Sequence, residues 1–171
     1  RTNPYQLCLD IWGIGFKTAD AIALKLGTDP ASPERIKAFL LYLMEKDNEQ
    51  GHVFSLRRPL LAAAAEELGV PAAAAEAALN ALAAKRAVVV EPVEEDTAVY
   101  RPFYYDAQAE VVSALERLSR APFQAPSFDV DKVVAEVERE LKVEFSPLQK
   151  RAIAESAGKK IVVITGGPGT G

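Results

Sequence analysis

The residues best suited to chemistry form a glycine-rich stretch at the C-terminal end of the sequence. Gly166 and Gly171 enclose four residues, which is the spacing that opens a phosphate-binding loop. Successive backbone N–H groups in a glycine-permitted turn can bind an anion. The stretch consists of Gly166, Gly167, Pro168, Gly169, Thr170 and Gly171. A plain glycine turn is the alternative interpretation, and the neighbouring residues bear on that choice.

A short apolar segment leads directly into this stretch. Residues 161–165 read Ile-Val-Val-Ile-Thr, a run of β-branched side chains that indicates a strand buried on both faces of a parallel sheet. Such sheets bind nucleotides at the carboxyl ends of their strands, so we favour the phosphate loop over the plain turn. A lone strand belongs to a sheet that other residues must supply. We therefore expect residues 161–171 to be disordered when those residues are absent.

The predicted phosphate loop is incomplete in this sequence. The full motif continues with a Lys that reaches the terminal phosphates and a Ser or Thr that binds Mg²⁺, and neither follows Gly171. We therefore expect ATP and Mg²⁺ to bind only to a longer protein that contains this chain. The chain itself is expected to have no catalytic residue and to hydrolyse no ATP.

A glutamine lies upstream of the predicted strand. Gln149 falls in a helix that begins at Ser146 and Pro147 and ends at Gly158. Because a Gln amide both donates and accepts hydrogen bonds, Gln149 could pair with the edge of adenine and favour ATP over GTP. Taken alone, an exposed helical Gln without a ligand is the more ordinary interpretation.

A second glycine motif lies near the start of the sequence. Gly13, Ile14 and Gly15 separate two predicted short helices, and Lys17 follows at the beginning of the second one. Glycines allow a tight hairpin and bring its backbone N–H groups close to a phosphate, and Lys17 adds a positive charge. The motif therefore predicts contact with a DNA backbone, without sequence reading. A structural role or contact with a protein partner is the open alternative.

The elements that must position these motifs are mainly helical. Residues 16–26 are predicted to form a helix with Ala19, Ile22, Ala23 and Leu26 on its buried stripe. Three later helices and a β-hairpin with an acidic turn give the order of a winged helix. The further predicted helices are residues 3–11, 32–51, 58–68, 71–86, 106–120, 130–141 and 147–158, and the strands are residues 52–55, 88–93 and 98–103.

Composition narrows the classes of partner. The 171 residues are 49% hydrophobic and 26% charged, which allows one or two small domains with a core. The net charge of -4 argues against nucleic-acid binding by bulk electrostatics, so a DNA contact would have to be local and backbone-mediated. No apolar run approaches the ~20 residues that cross a bilayer, so we expect a cytoplasmic protein without a membrane partner.

The single cysteine and the single histidine carry no predicted chemistry. Cys8 lies among apolar residues and is expected to be an inert core thiol, and one cysteine cannot form an internal disulfide. His52 is interpreted as a packing residue. With neither a second histidine nor a cysteine cluster, the sequence predicts no metal site.

Taken together, the motifs resemble those of the RecD-like superfamily 1 bacterial DNA helicases of the stand-alone type, which carry an N-terminal extension. The hairpin, with Ala19 after it, is similar to the helix-hairpin-helix family, although Trp12 stands where that family often has Pro. The position of Gln149 resembles the adenine-reading glutamine of these helicases. The segments that carry the resemblance are residues 3–7, 10–20, 32–36, 49–53 and 163–171.

The resemblance implies an ATP-driven motor that moves 5′ to 3′ on single-stranded DNA or at a single-strand/duplex junction and acts in DNA repair or recombination. It implies helix-hairpin-helix and winged-helix-like regions ahead of two RecA-like motor domains, and contact between this chain and the rest of the motor. It also implies that the extension begins before Arg1. Under this interpretation the domains are residues 1–31, the helix-hairpin-helix region; 32–104, the winged-helix-like region; 105–128, a helix and linker; and 129–171, the start of motor domain 1.

Two other interpretations stay open at the level of sequence. The chain could be a non-enzymatic interaction module whose hairpin docks a protein or the motor, which the negative net charge favours. It could also belong to a different phosphate-loop enzyme with a helical prefix. Residues after Gly171 would distinguish that enzyme from a helicase.

Overall fold

The computed structural model describes residue 5, residues 15–125 and residues 127–169. The chain divides into two compact units, Arg1–Ala109 and Glu110–Gly171. None of the helices in the described ranges combines the length and the apolarity that crossing a bilayer requires.

The first unit is a helical body with a small antiparallel sheet. Its sheet has the strand order β1-β3-β2. A further helix, α5 (Pro102–Arg120), begins in this unit and continues into the second. In the described part of the unit the other elements are α1 (Phe16–Lys25), α2 (Pro33–Glu49), β1 (Ser55–Leu56), α3 (Arg57–Leu68), α4 (Ala72–Ala84), β2 (Val89–Val93) and β3 (Asp96–Tyr100).

Local capping explains where the central helices begin and end. The Ser32 side chain accepts a hydrogen bond from the Arg35 N–H at 3.3 Å, and Pro33 takes the first helical position of α2. These are standard helix-start signals. At the end of α3, Gly69 adopts φ 65°, a left-handed conformation that glycine tolerates without strain.

The core of the first unit lies between α2, α3, α4 and the inner face of the sheet. Its largest fully buried side chains are Ile36, Leu40, Met44, Leu79 and Val99. Ala64 and Ala75 are also fully buried within this cluster. Small alanine side chains let α3 and α4 pack closely against α2.

Helix α1 buries a different stripe from the one predicted. Phe16, Ala19 and Ala23 are buried, whereas Ile22 is 39% and Leu26 is 77% exposed. The Phe16 ring lies 4.9 Å from that of Phe39 and 5.6 Å from that of Tyr42. Because this aromatic contact anchors the first turn of α1 against α2, the helix rotates Ile22 and Leu26 toward solvent.

The predicted β-hairpin forms, with strand bounds that differ from the predicted ones. Strands β2 and β3 pair from Val89 with Tyr100 to Val93 with Asp96, so Glu94 and Glu95 form the turn. Strand β3 starts two residues before the predicted position, and α5 starts four residues before it. Glu94 has a positive φ of 40°, which lets the chain reverse within two residues and sets this register.

The second unit contains the rest of α5, α6 (Val130–Leu141) and α7 (Pro147–Gly158). Helix α6 begins where the Asp129 side chain accepts the Lys132 N–H at 3.1 Å. The Lys160 ammonium donates to the Ser119 carbonyl oxygen at 3.0 Å. This contact satisfies a carbonyl at the C-terminal end of α5 and fixes the chain just before the apolar segment.

The strand predicted at residues 161–165 is not formed. Residues 161–167 have no regular secondary structure, and Val163 and Ile164 are 84% and 64% exposed. A strand requires a neighbour for its backbone hydrogen bonds, and no described segment pairs with these residues. The prediction of a buried strand is therefore wrong for the described residues, which supply no sheet for this segment.

Candidate nucleic-acid interface

The N-terminus of α1 presents backbone donors without a capping side chain. Gly15 is the residue before the helix, and no side chain caps it. The first helical bond among the described residues runs from the Thr18 N–H to the Gly15 carbonyl at 3.1 Å. The N–H groups of Phe16 and Lys17 precede this bond and lie at the positive end of the helix dipole. No acidic residue occupies the first turn of α1, so no carboxylate of that turn neutralises the positive end.

The backbone conformation at Gly15 does not require a glycine. Its φ of -79° and ψ of 169° are extended values that any residue adopts. A Cβ at Gly15 would meet no described atom within 4 Å. Gly15 thus does not adopt a conformation that needs glycine, and Gly13 and Ile14, the rest of the predicted tight turn, lie outside the described residues. Gly15 is exposed.

Lys17 places a positive charge beside these donors. It lies in the first turn of α1, its side chain is exposed, and it forms no ion pair with any described residue. A cation adjacent to uncapped N–H groups suits a phosphate oxygen. Gly13 and Ile14 lie outside the described residues.

The acidic residue of α1 is turned inward and paired. Asp20 accepts from the Arg35 guanidinium at 2.8 Å through Nε and 2.9 Å through Nη2, and its side chain is 12% exposed. The Tyr5 hydroxyl donates to the same carboxylate at 2.8 Å. Burial by itself would raise the pKa of Asp20, but the hydrogen bonds from Arg35 and Tyr5 and the Arg35 charge outweigh it and lower the pKa.

This buried cluster has two consequences for the interface. Because Arg35 neutralises Asp20, the carboxylate does not oppose an anion at the start of α1. The cluster also ties Tyr5 to α1 and α2. Burial, followed by the hydrogen bond to Asp20, raises the pKa of Tyr5, which keeps the hydroxyl a hydrogen-bond donor. No periodic signal in the sequence connects these three residues, so the cluster was not predicted.

Two further basic residues, Arg57 and Arg58, lie at the start of α3 and face carboxylates. Arg57 pairs with Glu76, and Arg58 lies 3.6 Å from Asp96 on the β-hairpin. The Arg58 N–H also donates to Asp96 at 3.4 Å. The acidic end of the hairpin is therefore held against the start of α3, and its charge disfavours contact with phosphates.

The residues predicted to bind nucleotide all lie in the second unit. Gln149 is in the first turn of α7, where it forms a capping box with Ser146. Gly166, Gly167, Pro168 and Gly169 follow the apolar segment, and Gly169 has φ 79°, a left-handed conformation suited to a glycine turn. Thr170 and Gly171 lie outside the described residues. Within the described ranges no three His, Cys, Asp or Glu side chains form a group that could hold a metal ion, and His52 therefore belongs to none.

In the sequence a Gly-Ile-Gly motif precedes the uncapped, acid-free start of α1, and this pattern is typical of helix-hairpin-helix domains, a class that contacts DNA backbones. Residues 1–54 match the family model described as the ATP-dependent RecD2 DNA helicase HHH domain. The match spans α1 and α2 and covers 54 of the 171 residues. It indicates that this region is the N-terminal part of a RecD2-like DNA helicase.

Proposed function

We propose that this chain is the DNA-facing N-terminal part of an ATP-dependent helicase, and that the start of α1 holds a DNA backbone. The observation that carries the proposal is the open position at Gly15 beside the uncapped N–H groups and Lys17. The family match of residues 1–54 supports the same function.

The mechanism of this contact is electrostatic and independent of sequence. A phosphate oxygen accepts hydrogen bonds from the N–H groups of Phe16 and Lys17, and the Lys17 ammonium adds a charge-assisted contact. The missing side chain at Gly15 lets the phosphate reach the backbone. In this proposal Gly13 and Ile14 take part in the same contact. Because phosphates carry no base identity, the contact positions the strand or a single-strand/duplex junction without reading it.

The nucleotide site of the proposed helicase combines this chain with residues that follow it in the longer protein. Residues 166–171 cradle the β-phosphate through their backbone N–H groups, and Gln149 pairs with adenine. The later residues contribute the Lys for the terminal phosphates and the hydroxyl for Mg²⁺. We further propose that residues 129–171 open a RecA-like motor domain that moves 5′ to 3′ on DNA and works in repair or recombination.

We propose that residues 32–104 form a winged-helix-like domain. The support is the order α2-β1-α3-α4-β2-β3 with the sheet order β1-β3-β2. In a DNA-reading helix-turn-helix the second helix of the pair, here α4, enters the major groove. Its exposed positions are Ala72, Ala73, Ala77, Asn80 and Ala84, none of them a cation. Together with the acidic hairpin turn, this composition suits a scaffold better than a DNA reader.

The second candidate function is therefore a protein-interaction module. The absence of a cation among the exposed positions of α4 and the net charge of -4 favour it. In this alternative the helix-hairpin-helix region docks a protein or the motor, and the first unit contributes no DNA contact.

Salt dependence separates the two functions. The chain is titrated against fluorescein-labelled single-stranded, duplex and junction DNA between 50 and 200 mM salt, with fluorescence anisotropy as the readout. Backbone contact to one or two phosphates predicts a log-log slope of about -1 on single strands. Simultaneous replacement of Gly13 and Gly15 by Val should remove the binding. Unchanged affinity in this variant contradicts the DNA role, and salt-insensitive capture of a protein partner supports the alternative.

A further inference from the structure

Gln149 is fixed by a reciprocal pair of hydrogen bonds at the start of α7. Its side-chain Oε1 accepts the Ser146 backbone N–H at 2.8 Å, and its own backbone N–H donates to the Ser146 Oγ at 3.3 Å. This is a capping box, in which the residue before the helix and the third helical residue satisfy each other. A backbone N–H is always a donor, so the atom that faces it must be the amide oxygen rather than the nitrogen.

A residue of the neighbouring helix α6 contacts the residues on both sides of the capping box. Glu138 of α6 accepts the Phe145 N–H at 2.7 Å and forms an ion pair with Lys150 at 3.0 Å. The hydrogen bond from Phe145, and then the contact with Lys150, lower the pKa of Glu138. One carboxylate thus contacts the residue before Ser146 and the residue after Gln149. The direction of the Ser146 N–H is fixed on both sides.

A purine-reading glutamine needs such a restraint to be selective. Adenine presents an amino donor where guanine presents a carbonyl acceptor. An unrestrained carboxamide can rotate by 180° and offer oxygen to the first or nitrogen to the second, because it contains both groups. In α7 that rotation would place the amide nitrogen against the Ser146 N–H, donor against donor, and would break the capping bond.

We propose that the Ser146 backbone N–H is the positioning group that sets base selectivity at this site. It holds Oε1 of Gln149 in the orientation that accepts an amino group, which admits adenine nucleotides and rejects guanine nucleotides. An amide oxygen has two lone pairs, so Oε1 can accept from Ser146 and from the adenine amino group together. This inference rests on the proposed nucleotide site, since it assigns the selectivity of that site to a residue that does not touch the base.

The hydrogen bond from the Ser146 N–H to Gln149 Oε1, called the lock below, is testable in the 171-residue chain without nucleotide. Hydrogen exchange of the Ser146 amide is measured by NMR in the wild type, in Gln149→Ala and in Gln149→Glu. Alanine removes the acceptor and should accelerate exchange about 5- to 10-fold, whereas the Glu carboxylate keeps an acceptor and should retain protection. Equal exchange in the wild type and Gln149→Ala would overturn the lock.

The consequence for selectivity is tested in the longer protein by competition binding of ATP and GTP, using the ratio of the two Kd values. Ser146→Pro removes the N–H at a residue whose φ of -62° suits proline. It should lower the ATP preference about 5- to 10-fold, the equivalent of one ordinary hydrogen bond. The matched control Ser146→Ala removes only the hydroxyl and should leave the ratio within about twofold.

The outcomes separate the inference from the function on which it rests. If Gln149→Ala abolishes the preference while Ser146→Pro preserves it, Gln149 reads adenine but the lock is wrong. If Gln149→Ala also preserves the preference, Gln149 does not read the base, and the adenine assignment and the inference both fail. Loss of the preference in both variants, with Ser146→Ala unchanged, supports the positioning role.

Discussion

Replacing Arg35 by Met is expected to lower the free energy of unfolding of the first unit by about 3 kcal/mol. Arg35 makes two charge-assisted hydrogen bonds to Asp20, and its Nη1 donates to the Pro30 carbonyl at 2.8 Å. Methionine replaces the alkyl part of the side chain and none of these donors. The Asp20 carboxylate stays in a site where its side chain is 12% exposed, with the Tyr5 hydroxyl as its described partner.

The magnitude follows from the burial of the pair. Removing one partner of a buried ion pair costs about 3–5 kcal/mol, because the other charge is left uncompensated. The side chains of Arg35 and Asp20 keep 11% and 12% exposure, which places the cost at the lower end. A domain of this size is stable by about 5–15 kcal/mol. The substitution should therefore remove a large fraction of the stability of the first unit.

The assay is urea unfolding followed by circular dichroism and by the fluorescence of Trp12, the one tryptophan in the sequence. The matched control is Lys37→Met, which breaks the Lys37–Glu34 pair on the same helix, where Glu34 is 53% exposed. The control should cost under about 1 kcal/mol. If Arg35→Met costs no more than Lys37→Met, or if Arg35→Met and Asp20→Asn are additive in the double variant, the account of the buried cluster is wrong.

Three other measurements test further contacts. The folded-state pKa of Asp20 lies below the unfolded value of about 3.9, so the ionised carboxylate stabilises the fold above about pH 3.9 and this contribution is lost as the pH falls toward the folded pKa. Asp20→Asn should therefore flatten the dependence of the free energy of unfolding on pH in the acid range. An unchanged pH dependence in this variant would contradict the expectation. Gly69→Ala should lower the free energy of unfolding by about 1 kcal/mol, because Gly69 has φ 65°. Gly15→Ala should leave Tm nearly unchanged, and equal effects of the two substitutions would refute the distinction. Glu138→Ala should accelerate hydrogen exchange of the Phe145 amide, because the 2.7 Å hydrogen bond is lost. Glu138→Asp keeps a carboxylate and should show a smaller acceleration. Equal exchange rates in the wild type and Glu138→Ala would exclude the contact.

Local signals allowed much of the fold to be predicted from sequence. Ser32 and Ser146, each followed by proline, mark the starts of α2 and α7 at the residues where the structure has them. These boundaries depend on contacts within one helical turn, so the sequence contains the information. The β-hairpin was also predicted, but its register was not, because register depends on the turn conformation at Glu94.

Contacts between distant residues could not be predicted in the same way. Asp20 and Arg35 are fifteen positions apart on different helices, and nothing in either helix pattern signals the pair. The exposure of Ile22 and Leu26 likewise follows from how Phe16 packs on α2. At the candidate interface Gly15 and Lys17 were predicted from the sequence, whereas only the structure shows that the backbone angles of Gly15 are ones any residue adopts and that no described atom lies within 4 Å of a Cβ there.

Gly15→Asp gives the most direct test of the central claim, that the uncapped start of α1 holds a DNA backbone. An Asp at this position can cap the helix, so it should preserve or raise Tm, while its carboxylate occupies the donors and repels phosphate. The measurement is the Kd of the variant and of the wild type for single-stranded DNA by anisotropy, with Tm taken on the same samples. We predict that the Kd for DNA rises at least about tenfold, because charge-assisted hydrogen bonds to the phosphate are lost, and that Tm does not fall. Unchanged affinity in a variant of equal or higher Tm would contradict it.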